Sequence, residues 1–257
     1  FNPDRKTLSN MTAHITSDSL YAGTIYGEGK VTKTGNALLK LTGATDYTGG
    51  TDVNDGKLWV ENGTLYGNVS VAAPAVLQGN LNIEGKLSNS GNVIPGNSIG
   101  KITINGDFVQ ASTGKLELEI DSDKTGDRIE VTGKADISGT VSITPTGGYM
   151  PSGTAIIKIS DFIQAAAGTT FAPTLTLVGN LPSGAVSKNF TLSVGSQISN
   201  TEFTFIVARV AGAYKGMGTT EEGIKLGEAL DKATINVIDD AKPIIAALDS
   251  IIAPLSI

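Results

Sequence analysis

The chain has 257 residues, a formal net charge of −6, no cysteine, and 32 glycines among plentiful Ser, Thr and Asn. Hydrophobic residues reach 40 % and charged residues 17 %, so the chain can bury a core and is not disordered by composition. Acidity without a basic stripe excludes nucleic acid as a partner, and the missing cysteines exclude disulfides and thiolate metal sites.

No apolar run reaches the roughly 18 residues of a membrane-spanning helix. The first residues, FNPDRKTLSNMTAH, lack the charged-then-apolar order of a signal peptide. The chain is therefore expected either never to have carried one or to be a fragment of a longer precursor.

From the start to about residue 210 the apolar pattern has period two. Leu39-Leu41, Leu58-Val60, Val69-Val71, Leu81-Ile83, Ile102-Ile104, Leu116-Leu118-Ile120, Ile129-Val131 and Val141-Ile143 each bracket residues that point the other way, as on a strand. Glycine or asparagine punctuates nearly every gap. Segments starting near Leu39, Leu58, Leu81 and Ile102 lie about twenty residues apart, a spacing within the range of solenoid repeats. Short strands stacked at about 4.8 Å would line Leu, Ile and Val into continuous ladders. Periodicity alone leaves a β-sandwich open, because it also yields short strands at close spacing.

From residue 113 the rhythm tightens. Lys115 to Ile120, Arg128 to Val131, Lys134 to Ile137 and Thr140 to Thr144 read as hairpins or narrower coils. Ala155 to Ile159, Phe190 to Val194 and Phe203 to Val210 then supply apolar segments that close the rod, which otherwise exposes strand edges. Beyond residue 218 the period becomes helical. Thr219-Thr220-Glu221-Glu222 reads as a capping box, followed by Leu226, Leu230, Ala233 and Val237. Pro243 suits a first helical turn, and Ile244, Ile245, Leu248, Ile251, Ile252 and Leu255 form an apolar stripe.

Gly96-Asn97-Ser98-Ile99-Gly100 matches the G-x-S-x-G nucleophile elbow. An elbow needs a helix after the serine and a histidine later in the chain. Here Ile99 to Phe108 alternates like a strand, and no histidine follows His14. Ser98 is therefore expected to lie in a glycine-bounded turn entered through Pro95. Asp121 to Asp127 has oxygens and a glycine spaced like a calcium loop, but Thr132 stands where the bidentate glutamate belongs, so this reads as an acidic turn. Trp59 lies in a strand and reads as core or face packing. Acidic residues are otherwise scattered, with no aromatic platforms for sugars and no phosphate loop. No catalytic, cofactor-binding or metal-ligating residue and no cofactor is expected, and the chain is expected not to be an enzyme.

LTGATDYTGGTDVNDGKLWVENGTL (41–65) resembles the passenger-associated repeat of autotransporters, the type V secreted proteins. PGNSIGKITINGDFVQASTGKLELEID (95–121) and GDRIEVTGKADISGTVSITP (126–145) resemble the segment that follows it in pertactin-like passengers. The resemblance covers about residues 36 to 150, and the tail is similar in character to the linker before an outer-membrane barrel. It implies an all-β fold: a right-handed parallel β-helix, with a C-terminal β cap and a short α-helical tail. Residues 1–112 would be stem coils, 113–218 autochaperone-like coils and cap, and 219–257 a linker towards a barrel that this sequence does not contain. The implied function is a non-catalytic stem and folding nucleus on the surface of a Gram-negative bacterium, supporting export and display of an adhesion or virulence factor. Its partners would be its own β-barrel and upstream passenger coils. The alternatives are an adhesin module that binds host or bacterial surfaces, and a β-helical polysaccharide or ester hydrolase.

Overall fold

The computed structural model describes residues 10–121, 124–146, 154–172, 174–179, 190–209 and 220–235. The chain winds into a parallel β-helix of eight coils, one for each strand of its eight-stranded sheet. The first coil holds β1 (Met11–His14), β2 (Ser19–Tyr21) and β3 (Ile25–Gly27). The second holds β4 (Val31–Thr34), β5 (Leu38–Leu41) and β6 (Thr45–Tyr47), the third β7 (Thr51–Val53) and β8 (Lys57–Tyr66), and the fourth β9 (Val69–Val71) and β10 (Val76–Glu84). The fifth holds β11 (Leu87–Asn89), β12 (Asn92–Pro95) and β13 (Lys101–Ile104), and the sixth β14 (Phe108–Gln110), β15 (Lys115–Ile120) and β16 (Arg128–Val131). The seventh holds β17 (Ala135–Ile137), β18 (Thr140–Pro145), β19 (Thr154–Lys158), a 3-10 turn (Ile159–Asp161) and β20 (Ile163–Ala165). The eighth holds β21 (Thr169–Phe171) and β22 (Thr176–Gly179).

Three walls result. One runs β1-β4-β7-β9-β11-β14-β17-β21, and a second β2-β5-β8-β10-β12-β15-β18-β22. The C-terminal halves of β8 and β10 turn into a third wall, which β13, β16 and β20 continue and the β3–β6 pair begins. Among the described residues the strands of the three walls pair in parallel from coil to coil, which rules out the sandwich. Inward residues stack coil on coil. Leu39, Leu58, Leu77, Val93, Leu116 and Val141 form one row, and Leu65, Ile83, Ile104 and Val131 another. Nearly all are fully buried, each contributing on the order of 2 kcal/mol.

Two sequence expectations change. Leu58 and Leu81 are not equivalent, since Leu58 stacks on Leu77, whereas Leu81 stacks on Gly63 and Ile102. The regular spacing therefore mixes two walls, because one long strand serves both. The segments from Lys115 to Thr144 are neither hairpins nor a separate narrower rod. Each pairs in parallel with the coil before it, and the long-range partners override the short turns between them.

Glycine marks the corners for a steric reason. At one corner Gly29, Gly49, Gly67, Gly85, Gly106 and Gly133 succeed one another. A Cβ on Gly85 would sit 2.5 Å from the Gly67 carbonyl oxygen, one on Gly106 2.6 Å from that of Gly85, and one on Gly133 2.7 Å from that of Gly106. Beside this row, side-chain oxygens cap the next coil. Asn10 accepts from the Lys30 N–H (3.0 Å), Asn68 from that of Lys86 (2.9 Å) and Asp107 from that of Lys134 (2.9 Å).

Some interior places are polar, and most of their polar atoms are hydrogen-bonded; among the described residues the buried Oδ1 atoms of Asn89 and Asn92 are not. Lys33 points inward and is fully buried. Its Nζ donates to the carbonyls of Gly35 (2.5 Å), Ala37 (2.6 Å) and Asp55 (2.8 Å), tying the second coil to the third. Burial lowers its ammonium below the usual lysine range, and the Asp55 charge partly offsets this. Asn89 donates to Gln110 (2.9 Å) and the Lys115 carbonyl (2.9 Å), while Gln110 donates to the Ser138 carbonyl (2.7 Å). In the TGATDYTGGT segment, Tyr47 is buried and shares a 2.6 Å hydrogen bond with Thr51. Its phenol is pushed up to about 12 by burial.

The far end is closed by an antiparallel sheet in the order β19-β24-β23, with β23 (Phe190–Ser199) and β24 (Glu202–Arg209) forming the hairpin. Phe203 packs edge-to-face on Phe171 at 5.1 Å, and the Phe171 N–H donates to the Asn200 carbonyl (2.6 Å). The cap thus covers the last coil at both core and backbone. After it comes α1 (Glu221–Ile235). Thr220 caps this helix by accepting from the Gly223 N–H (3.0 Å), one residue later than the Thr219–Glu222 box implies. Val237 and the stripe from Ile244 to Leu255 lie outside the described residues. Among those described, no helix is long and apolar enough to cross a membrane.

Gly106→Ala is expected to cost about 1–3 kcal/mol, because its methyl meets rigid backbone, and urea denaturation measures it. Lys33→Met is expected to cost roughly 1–3 kcal/mol by removing the buried donor that the Gly35, Ala37 and Asp55 carbonyls share, read the same way.

Candidate functional site

The corner between the second and third walls carries the sequence-singled residues. In the third and fourth coils β8 and β10 pass through it without interruption. In the fifth, residues 96–100 separate β12 from β13; in the sixth, the described residues 121 and 124–127 lie between β15 and β16; in the seventh, β19 and the 3-10 turn stand between β18 and β20. Successive insertions therefore stack on one corner, as insertions in repeat proteins do.

The G-x-S-x-G segment is the first of these. Gly96 has φ +69°, and a Cβ there would lie 2.3 Å from the Ser98 carbonyl oxygen. Gly96 N–H donates to the Gly79 carbonyl (2.9 Å), and its own carbonyl accepts from buried Gln78 (2.9 Å). A Cβ on Gly100 would strike Asn80 and Gly96 at 2.4 Å. Both glycines are thus required by the turn itself. Ser98 is exposed at its tip, the next element is β13 rather than a helix, and its hydroxyl has no hydrogen-bond partner among the described residues.

His14 is exposed on β1 in the first coil, where its Nδ1 lies 3.1 Å from the Thr34 hydroxyl. Ser98 follows β12 in the fifth. Four coil spacings put them about 19 Å apart along the axis. The structure keeps the two residues apart.

The acidic segment is the second insertion. Thr125 donates to the Asp121 carboxylate, and the Asp121 N–H donates to the Thr125 carbonyl (3.0 Å). Asp127 faces the other way. It is fully buried, and its two oxygens accept from the Gly100 N–H and the Glu119 N–H, both at 2.7 Å. Ser122 and Asp123 lie outside the described residues. Among those described, no three His, Asp or Glu side chains converge to share a cation.

The sequence read Asp127 as one acid in a turn. Only the fold shows that it joins two insertions; the local hint is an acid after Gly126 and directly before a strand. Burial pushes its carboxyl up to about 7, against the two N–H bonds, which pull it down; nearby Glu119 adds to the rise.

Trp59 is on the outer face of β8, not in the core. Lys40 Nζ lies 4.0 Å from its ring centroid and also pairs with Glu61 at 2.5 Å. Elsewhere, a shallow groove beside the glycine corner is lined by Lys30, Asp52, Asn68, Ser70, Lys86 and Ser88. Within it Asp52 accepts from Lys30 (2.8 Å) and Ser70 (2.7 Å). The start of the coil is apolar instead. Leu20 is 65 %, Tyr26 46 %, Tyr21 44 % and Met11 40 % exposed, beside an apolar hollow that includes Ile15, Ile25 and Leu39.

No family model matches the chain. It is similar to the extracellular serine protease of Serratia marcescens, with 30 % identity over 110 residues, or 42 % of this chain and 10 % of that protein. The chain spans about a tenth of the length of the curated relative that it matches. This match corrects the expectation that the chain is not an enzyme: the similar protein is named a serine protease. The reason is one of scope. That expectation weighed motifs within this chain and its resemblance to a stem, whereas the match is to a protein of which this chain spans about a tenth.

Ser98→Ala is expected to shift the melting temperature by less than about 2 °C, since an exposed hydroxyl without partners contributes little. On casein and generic ester substrates the variant is expected to behave as the unsubstituted chain does. Loss of hydrolysis in a folded variant would instead make Ser98 the nucleophile.

Proposed function

We propose that this chain is the stem and folding nucleus of a longer, secreted protein of the autotransporter type. The observation that carries the reading is the contrast between the ends of the coil. The β19-β24-β23 sheet and Phe203 close one end. At the other, β1, β2 and β3 are end strands, with Met11, Leu20, Tyr21 and Tyr26 exposed. A coil stabilised by its neighbours grows from a finished end towards an open one. The capped coils fold first on this reading and offer the apolar end to coils that precede them in the precursor. The similarity to an extracellular protein supports secretion.

In this reading residues 1–112 form the stem, 113–218 the autochaperone-like nucleus and cap, and 219–257 the linker to an outer-membrane barrel. The partners are that barrel and the upstream coils, and the location is the surface of a Gram-negative cell. The uninterrupted glycine and aliphatic rows suit a segment that must fold without disulfides. A second reading follows from the curated match: the parent protein hydrolyses peptide bonds as a secreted serine protease.

Deleting residues 95–145 from the full-length protein is expected to abolish protease-resistant passenger at the cell surface while the barrel still inserts, as judged by surface proteolysis and immunoblotting. Passenger that folds and resists protease as before would refute the nucleus. For the second reading, the secreted full-length protein is expected to cleave casein and to lose that activity to a serine-directed fluorophosphonate; no cleavage would remove it.

A further inference from the structure

Three side chains of the second wall meet across the fifth and sixth coils. Asn92 opens β12, Lys115 opens β15, and the two are direct neighbours in the parallel register. Glu117 lies two residues beyond Lys115, on the same face of β15. Its Oε1 touches both nitrogens. Asn92 Nδ2 donates to it at 2.7 Å, and Lys115 Nζ lies 2.8 Å away. One carboxylate oxygen thus bridges a primary amine and a carboxamide that belong to adjacent coils.

The backbone holds this arrangement in place. The Asn92 N–H donates to the Ala75 carbonyl (2.9 Å) and the Lys115 N–H to the Gly91 carbonyl (2.7 Å), while the Lys115 carbonyl accepts from Asn89 Nδ2 (2.9 Å). Neither strand can slide past the other. Along the same row Val76 flanks Asn92 and Thr140 flanks Lys115, so no second charge stands next to the pair in that row. Lys115 and Glu117 are part-exposed, which makes their ion pair a weak source of stability. Asn92 Oδ1 is buried instead, with no hydrogen-bond partner among the described residues. A buried polar atom left unpaired in a native fold calls for a reason, and membership of a reacting group is one.

We propose that Lys115 and Asn92 join in an isopeptide bond that welds the fifth coil to the sixth, with Glu117 as the catalytic proton carrier. Glu117 takes a proton from the Lys115 ammonium. The freed Nζ lone pair attacks Asn92 Cγ; the Nζ–Cγ bond forms and the Cγ–Nδ2 bond breaks. Two protons in all pass from Nζ to Nδ2 through Glu117, and the departing nitrogen leaves as ammonium. Nothing is oxidised or reduced, and no co-reactant enters. Holding amine, amide and proton carrier in contact supplies the proximity that an uncatalysed encounter lacks. The open side of the cluster lets the ammonium escape to solvent. In a chain without cysteine, the bond does what a disulfide does elsewhere, closing a loop that persists in the unfolded state.

Mass spectrometry reads the bond directly. The intact, folded 257-residue chain is expected to weigh one ammonia less than its sequence. Trypsin should release a branched product, residues 87–101 joined to 102–124, because Lys115 is no longer a cleavage site. Lys115→Arg keeps a cation beside Glu117 and is expected to show the full sequence mass and only linear peptides. Glu117→Gln, with amine and amide still in register, should also stay unlinked. The unsubstituted chain decides the matter by itself if either variant does not fold. Full sequence mass after prolonged storage of the folded chain at neutral pH would overturn the proposal. So would an ammonia deficit with linear peptides alone, which marks asparagine cyclisation instead, or a branched product that persists in Lys115→Arg or Glu117→Gln.

Discussion

A strand in this protein satisfies its backbone through the coils on either side. Each N–H and C=O that points along the axis finds its partner about 4.8 Å away in a neighbouring turn of the same rod. The register of one coil therefore dictates that of the next. Leu77 lies over Leu58 because Gln78 lies over Trp59, and a slip of one residue would turn the whole aliphatic row outward. The glycine corners obey the same constraint. Their backbones pass so close that a methyl on Gly85 would meet the carbonyl beneath it, so stacking distance and residue choice are one condition.

That constraint also explains the unequal ends. A regular coil always leaves two edges, and a rod that must not aggregate has to finish one of them. Here β19 leaves the parallel ladders to pair antiparallel with β24, and the β23–β24 hairpin folds back against the last coil. The first coils show the opposite character, with Tyr21, Tyr26 and Leu20 turned to solvent. Polarity of this kind gives a solenoid a direction of assembly, and it links the packing to the proposed role as a nucleus.

The inserted loops sit where a coil can accept them without cost to its ladders. At the corner between the second and third walls, the long strands β8 and β10 already bend, and β10 shifts register between Asn80 and Leu81. Opening the chain there leaves β12 and β13 each paired in register with β10. Asp127 then closes the gap from the inside. A buried carboxylate between two backbone donors, without a cation, is tolerated because rigid neighbouring strands hold those donors in place.

Much of this was readable from residue pattern. Alternation located the strands, glycine and asparagine located the corners, and the changed period after residue 218 located a helix. Ser98 without a following helix, and with His14 far back in the chain, was already a poor elbow, and the fold places it at the tip of a turn. What one dimension could not resolve was which repeat stacks on which. Leu58 and Leu81 look equivalent in spacing yet belong to different walls, because a strand that bends contributes to two ladders at once. Lys33 and Asp127 look like ordinary surface charges until the coils close round them. The sequence by itself determined that the chain builds short strands with glycine corners, since period and turn chemistry are local. Tertiary structure alone decided the direction of pairing, the register of the rows, and which charges end up buried, since those depend on partners roughly twenty residues away.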